Sequence, residues 1–96
     1  MLNQPLQTNK ICLITGTIGF IGSYLSQRLL KKGYRVIGID NLNDYYDVNL
    51  KKSRLEHLEN QDLLTFLKVD ISNKGEIECI FKEYSPNIII NLAAQA

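Results

Sequence analysis

ICLITGTIGFIG, residues 11–22, joins a short apolar run to a glycine-rich turn and to the start of an amphipathic segment. The apolar run, from Lys10 to Thr15, predicts a parallel strand that is covered on both faces. Glycines at positions 16, 19 and 22 let the chain turn tightly and approach phosphate groups, whose charge then meets a helix N-terminus. The stretch therefore predicts a strand, a phosphate-binding turn and a helix, although a glycine-rich turn used for packing alone would look similar.

The chain continues the alternation of strand and helix. Phe20 to Lys32 predicts a helix, with Ile21 opening an apolar stripe and Gly33 at the C-cap. Arg35 to Asp40 predicts a strand that ends in an acid roughly 20 residues after the turn, as dinucleotide-binding units require. The later elements are predicted as a helix at Val48 to Glu59, a strand at Leu63 to Val69, a helix with a stripe of Ile77, Ile80, Phe81 and Tyr84 stopped by Pro86, and a strand at Asn87 to Leu92.

This β-α-β-α-β-α-β order predicts an α/β fold, the first portion of a Rossmann-like, doubly wound parallel sheet. The first three strands should be ordered 3-2-1, with the fourth on the other side of strand one. Strand four would then present an open, uncharged edge, which is expected to pair with further chain. We therefore expect residues 1–96 to be the N-terminal part of a longer protein whose substrate domain lies elsewhere.

Composition excludes several classes of function. A formal charge of +1 with 45% hydrophobic residues gives no electrostatic case for nucleic acid or an anionic membrane. No apolar run approaches a membrane span and no signal peptide is apparent, so a cytoplasmic protein with a small-molecule ligand is expected. Cys12 and Cys79 lack metal-ligand spacing with His57, and both are predicted to be small buried hydrophobes.

The motifs resemble the extended branch of the short-chain dehydrogenase/reductase superfamily, and more narrowly the UDP-glucuronate 4-epimerases. They are TGTIGFIG at 15–22, GIDNLNDYYD at 38–47, VDI at 69–71 and NLAAQA at 91–96. Two residues depart from the usual pattern. Ile18 is bulkier than the residue usual before the second glycine, and Asn91 stands where many relatives carry His.

The resemblance implies NAD as the cofactor and assigns its contacts. The glycine turn would surround the pyrophosphate, Asp40 would accept hydrogen bonds from the adenosine ribose, and Asp70 would receive the adenine amine. A carboxylate at Asp40 repels a 2′-phosphate, so NAD is favoured over NADP. The cofactor-binding residues implied in this way are Gly16, Gly19, Phe20, Ile21, Gly22, Asp40, Asn41, Asn43, Asp70, Ile71, Leu92, Ala93, Ala94 and Gln95.

Each assignment has a structural alternative. Asp40 could be an ordinary loop acid, Asp70 a capping residue in a strand-to-helix turn, and the small residues after strand four simple close packing. Lys51, Lys52 and Arg54 could bind a 2′-phosphate, but we interpret them as a solvated helix face.

The resemblance implies an isomerase that inverts C4 of a UDP-hexuronic acid, UDP-glucuronate to UDP-galacturonate, through a 4-keto intermediate, in polysaccharide biosynthesis. The family's base is a Tyr with a Lys four residues later, and no tyrosine of this chain has that partner. We therefore predict no catalytic residue and no metal ligand within the chain. A 4,6-dehydratase, a decarboxylase or a non-catalytic NAD-binding module stays open, as does assembly into a homodimer.

Overall fold

The computed structural model describes residues 10–41, 48–59 and 61–93, and within these ranges the predicted alternation is confirmed. The elements are β1 (Ile11–Thr15), α1 (Phe20–Lys31), β2 (Arg35–Asp40), α2 (Val48–Glu59), β3 (Leu64–Lys68), α3 (Lys74–Tyr84) and β4 (Ile88–Asn91). Their bounds fall within two residues of the predicted ones wherever a bound was predicted.

The strands form one parallel sheet in the order β3-β2-β1-β4, as predicted. Thr15 at the end of β1 pairs with Ile39 of β2 on one side and with Asn91 of β4 on the other, so the three carboxyl ends lie level. The chain leaves β1 toward β2 and β3 and returns to the opposite side for β4. The sheet therefore has a topological switch point between β1 and β4, where open α/β folds bind their ligands.

Two apolar layers cover the sheet, because alternate residues of each strand point to opposite faces. Cys12 and Ile14 of β1 belong to one core cluster, with Ile18, Leu30, Val36 and Leu58. Leu13 belongs to the other, with Ile37, Ile39, Val69 and Ile80 of α3. Helices α1 and α2 thus pack on one face and α3 on the other, which is the doubly wound arrangement.

The C-terminus of α1 confirms the predicted glycine cap. Gly33 has φ +88°, and its N–H donates to the Leu30 carbonyl at 3.0 Å. The Tyr34 N–H donates to the Leu29 carbonyl at 3.1 Å, which completes a Schellman motif. The cap ends α1 in time for the chain to enter β2.

Three sequence predictions of core or buried side chains are wrong. Phe81 was predicted in the apolar stripe of α3, but it is 39% exposed and lies outside the core cluster that contains Ile77, Ile80 and Tyr84. Ile21 is 65% exposed, because the first turn of α1 lies at the carboxyl edge of the sheet, before the part of the helix that packs. Cys79 is exposed, because it lies off the stripe by which α3 contacts the sheet, whereas Cys12 is buried as predicted. The edge position of β4 is confirmed within the described residues by the strand order, and Ile89 of this strand is 53% exposed. None of the helices in the described ranges is long and apolar enough to cross a membrane.

Candidate dinucleotide-binding site

The glycine-rich turn connects β1 to α1 at the carboxyl edge of the sheet. It is fastened to β2 by two backbone bonds, from the Gly16 and Thr17 N–H groups to the Ile39 carbonyl, at 2.8 and 3.3 Å. The Thr17 hydroxyl, fully buried, donates to the Ile14 carbonyl at 2.7 Å. The turn is therefore built onto the strands at the switch point of the sheet.

Gly16 and Gly22 are required by the protein's own packing. Gly16 has φ +76°, and a Cβ there would lie 2.9 Å from the Ala93 nitrogen, so only glycine lets β4's end approach the turn. A Cβ on Gly22 would lie 2.1 Å from the Gly16 carbonyl oxygen. These two glycines bring β4 and α1 against the turn.

Gly19 is less constrained by the fold than these two glycines. Its φ is −66° and its ψ 170°, an extended conformation open to any residue. A Cβ would lie 3.3 Å from the Gly16 carbonyl oxygen, a tight contact that a small shift of the backbone would have to relieve. Gly19 is the N-cap of α1 and makes no side-chain cap. The first helical bond runs from the Ser23 N–H to the Gly19 carbonyl at 2.9 Å, so the N–H groups of Phe20 and Ile21 belong to the open helix end.

This helix end fits an anionic group such as a pyrophosphate. The N-terminus of a helix carries partial positive charge and presents N–H donors. The first turn of α1 contains no acidic residue that would repel an anion. A hydrogen at Gly19 in place of a side chain leaves the approach to these donors clear. The helix end is therefore a candidate anion site, and the cofactor contacts of Gly19, Phe20 and Ile21 stay predictions.

Asp40, at the end of β2, lies directly beside the turn. Its Oδ2 accepts a hydrogen bond from the Ile18 N–H at 3.1 Å, and the residue is only 6% exposed. The carboxylate is thus part of the turn's own architecture, and its contact with a dinucleotide ribose stays a prediction. This hydrogen bond gives Asp40 a structural role in the turn, and the alternative interpretation as a structural acid at a strand end stays open.

Arg54 of α2 also reaches the turn, and here the sequence interpretation is wrong. Its Nη1 donates to the Ile18 carbonyl at 3.2 Å, and its guanidinium carbon lies 5.7 Å from the centre of the Phe20 ring. The side chain is half-buried, whereas the neighbouring Lys52 is exposed as predicted. No pattern in the sequence separates Arg54 from an ordinary surface arginine.

The β4 side of the crevice is held by Thr15, which the sequence analysis did not single out. Its hydroxyl donates to Asn91 Oδ1 at 2.5 Å. It accepts from the Leu92 and Ala93 N–H groups at 3.1 and 3.3 Å. Leu92 and Ala93 are therefore fixed against the turn, and Asn91, the residue that departs from the family pattern, supplies the acceptor.

Asp70 lies in the loop after β3 and is exposed. Its Oδ1 accepts from the Ser72 N–H at 2.9 Å and from the Ser72 hydroxyl at 2.8 Å. These bonds, the backbone one first, hold the pKa of Asp70 below its usual range, with a smaller contribution from the Asn41 side chain. The N-cap of α3 is Asn73, which accepts from the Glu76 N–H at 3.2 Å, so Asp70 is not the capping residue.

Of the other residues predicted to contact the cofactor, some lie at the same edge of the sheet and some lie outside the described residues. Asn41 joins Asp70 at the same edge, and Ile71 packs against the core beneath α3. Asn43, Ala94 and Gln95 lie outside the described residues. No group of three or more metal-binding side chains occurs within residues 10–41, 48–59 and 61–93.

An open groove of about 310 Å³ lies elsewhere, between β3 and α3, and its chemistry does not suit phosphate. Its lining is mostly apolar, and the charged residues in it are Glu76 and Glu83. Two carboxylates would repel a pyrophosphate, so the glycine turn is the better candidate site.

Comparisons with known proteins agree with this geometry. A UDP-glucuronate 4-epimerase of Thermodesulfobacterium geofontis is 46% identical over 84 residues, which are 88% of this chain and 26% of that protein. Protein CapI of Staphylococcus aureus is 48% identical over 84 residues, 88% of this chain and 25% of that protein. The chain thus spans about a quarter of the length of these curated relatives.

Solved structures share the fold. A UDP-glucuronic acid 4-epimerase from Bacillus cereus, in complex with UDP-glucuronic acid and NAD, superposes with a TM-score of 0.78 at 34% identity, over 88% of this chain and 26% of that one. A dTDP-glucose 4,6-dehydratase from Bacillus anthracis, in complex with NAD, gives 0.77 at 28% identity, over 90% and 27%. The family described as GDP-mannose 4,6 dehydratase matches residues 13–96. The chain therefore belongs to this family of NAD-dependent epimerases and dehydratases, and it carries the family's Rossmann-like fold.

Proposed function

We propose that this chain is the NAD-binding portion of a nucleotide-sugar enzyme, with the pyrophosphate seated on the turn at residues 16–22. The observation that carries the proposal is the environment of Gly19, which lies at the open N-terminus of α1 in a conformation that any residue can adopt. A Cβ there would make one tight contact, 3.3 Å from the Gly16 carbonyl oxygen, against the direct overlap at Gly22. Such a glycine is explained by a ligand that approaches the backbone closely. The NAD in the solved relatives supports this choice of ligand.

Asp40 would hold the adenosine ribose, with Asn41 beside it. The carboxylate lies at the end of β2, next to the turn, which is where dinucleotide-binding folds place the acid that selects the ribose. A 2′-phosphate at this position would meet like charge, so NAD is preferred to NADP. Asp70 and Ile71 would line the adenine, and Leu92, Ala93, Ala94 and Gln95 would form the small-residue wall of the crevice.

For the complete enzyme we propose inversion at C4 of a UDP-hexuronic acid, through a 4-keto sugar. NAD supplies reversible hydride transfer when it is bound. The described residues bind and orient the cofactor, and the acid–base groups come from residues other than these 96. Support comes from the 4-epimerases among the relatives and from the motif GIDNLNDYYD at 38–47.

A 4,6-dehydratase is the second candidate, because a dehydratase with NAD is among the structural relatives and the family description names one. Both reactions begin at C4, so the cofactor site alone does not separate them. Incubating the full-length protein with UDP-glucuronate and following the sugar by NMR would do so. UDP-galacturonate as the product supports the epimerase, and its absence together with turnover of a dTDP- or GDP-hexose to a 4-keto-6-deoxy sugar refutes it.

The cofactor site itself is tested by calorimetric titration with NAD and with NADP. We expect the chain to bind NAD and to bind NADP more weakly. Gly19→Val should abolish NAD binding while the circular dichroism spectrum stays that of the parent. A folded chain that binds NAD equally well with Val at position 19 would refute the assignment of the turn.

A further inference from the structure

Ile18, at the centre of the glycine turn, is held from three directions. Its N–H donates to Asp40 of β2 at 3.1 Å, and its carbonyl accepts from Arg54 of α2 at 3.2 Å. Its side chain is fully buried in the core cluster that includes Leu30 of α1 and Leu58 of α2. The bulky residue therefore fixes the turn rather than obstructing it.

Among the residues that hold Ile18 through hydrogen bonds, Arg54 is the most distant from it in sequence. It bonds a residue 36 positions earlier, and its guanidinium also lies against Phe20, the first residue of α1. Phe20 is 76% exposed, so the core does little to fix its position. One planar cation thus contacts both sides of Gly19, the Ile18 carbonyl before it and the Phe20 ring after it.

We propose that Arg54 is a positioning residue for the pyrophosphate site: it braces the turn on both sides of Gly19 and adds positive charge beside the open end of α1. The inference rests on the proposed cofactor role of the turn. Its physical basis is that preformed donors bind an anion without a cost of ordering them at the moment of binding. A cation beside the site further favours an anionic ligand.

The proposal is tested with Arg54→Met, which removes the charge and the donor but keeps an apolar stem. Lys52→Met is the matched control, because it removes the same charge from an exposed position on the same helix. Arg54→Lys keeps the charge without the planar fork. The ligands are ADP-ribose, which contains the pyrophosphate, and adenosine, which does not. Amide hydrogen exchange at Ile18 reports on the turn without any ligand.

In Arg54→Met we expect affinity for ADP-ribose to fall on the order of tenfold, because the donors of the turn must then be ordered on binding and a nearby positive charge is lost. Adenosine affinity, followed by NMR, should be unchanged, and exchange at Ile18 should become faster. Arg54→Lys should be intermediate in ADP-ribose affinity, and Lys52→Met should match the parent in all three measurements.

Unchanged exchange at Ile18 together with unchanged ADP-ribose affinity in Arg54→Met would overturn the proposal. Equal losses for ADP-ribose and adenosine would also overturn it, because they would indicate a general loss of stability. If the parent chain binds no ADP-ribose but exchange at Ile18 is faster in Arg54→Met than in the parent, the bracing of the turn is supported and its cofactor role is refuted, so the two failures are distinguishable.

Discussion

Replacing Gly22 with alanine tests whether the turn and α1 are in contact as closely as the structure shows. The new methyl carbon would lie 2.1 Å from the Gly16 carbonyl oxygen and 2.9 Å from its carbonyl carbon. Both are backbone atoms, so no side-chain rotation relieves the overlap. The Gly16 carbonyl also accepts from the Gly19 N–H at 3.1 Å, and the turn would lose this bond if the carbonyl moved aside.

The expected change in the free energy of unfolding of Gly22→Ala follows from two opposing effects. Overpacking a rigid site costs about 3 kcal/mol at the upper end of the usual range, and backbone overlap belongs at that end. Alanine in place of glycine inside a helix returns about 1 kcal/mol. We therefore expect Gly22→Ala to lower the free energy of unfolding by about 2 kcal/mol. For a domain of this size, that corresponds to a fall in Tm of about 8 to 16 °C.

Gly75→Ala is the matched control, since it is the same substitution near the start of α3. A Cβ there would have only Asn73 Oδ1 near it, at 3.8 Å, which is ordinary contact. The preference of alanine for a helix is then unopposed. The free energy of unfolding should therefore rise by about 0.5 kcal/mol, which corresponds to a rise in Tm of a few degrees. Thermal and urea unfolding followed by circular dichroism measures both variants. A Gly22→Ala chain as stable as Gly75→Ala would refute the close approach of α1 to the turn.

Three further outcomes are expected. The free energy of unfolding of Gly19→Ala should lie within about 1 kcal/mol of the parent value, because the new Cβ makes a single tight contact, 3.3 Å from the Gly16 carbonyl oxygen. Calorimetry should nevertheless show NAD binding weakened by more than about tenfold. A maleimide should label exposed Cys79 in the folded chain and Cys12 only after unfolding, as read by mass spectrometry, because burial raises the pKa of the Cys12 thiol. In Ser72→Ala the pKa of Asp70, followed by carboxyl NMR, should rise toward its usual range. Because the folded-state pKa is lowered, Asp70 stabilises the parent above the usual carboxyl pKa, and this contribution is lost as the pH falls through the lowered value.

The fold could be predicted because its signals are local and repeated. Apolar strands alternate with helical stripes, and crossovers between parallel strands are right-handed, which leaves few arrangements for four strands. The cap at Gly33 could also be predicted, because a Schellman motif needs a residue in the left-handed conformation after the helix, and glycine adopts it most readily. Strand order and helix ends therefore followed from periodicity and turn chemistry.

The prediction for Cys79 was wrong because residue type was given more weight than position. On α3 the core-facing residues are Ile77, Ile80 and Tyr84, spaced at three and four. Residue 79 falls about 200° around the helix from residue 77, on the opposite side. Helical periodicity therefore predicts that Cys79 is exposed, whereas the average burial of cysteine predicts the opposite.

The contacts around Ile18 could not be predicted from sequence for a different reason. The hydrogen bonds that join Ile18 to Asp40 and to Arg54 span 22 and 36 positions of the chain. They form only when β2 and α2 pack beside the turn, and that packing must be known first. A charged residue on a helix gives no local signal of such a contact. The sequence shows that Ile18 is bulky. Whether this side chain obstructs the turn or packs in the core depends on the space between α1 and α2.

The dual position of Asp40 changes how its variants should be interpreted. Alanine at this position removes the carboxylate proposed for the ribose and also leaves the buried Ile18 N–H without its acceptor, which alone costs about 1–3 kcal/mol. Lost NAD binding in Asp40→Ala would therefore not identify a ribose contact. Asparagine retains an acceptor oxygen for Ile18, removes the charge and replaces the other carboxylate oxygen with an NH2 group. If the carboxylate selects NAD, Asp40→Asn should keep the turn intact and narrow the difference between NAD and NADP affinities, whereas an unchanged difference would assign Asp40 to the turn alone.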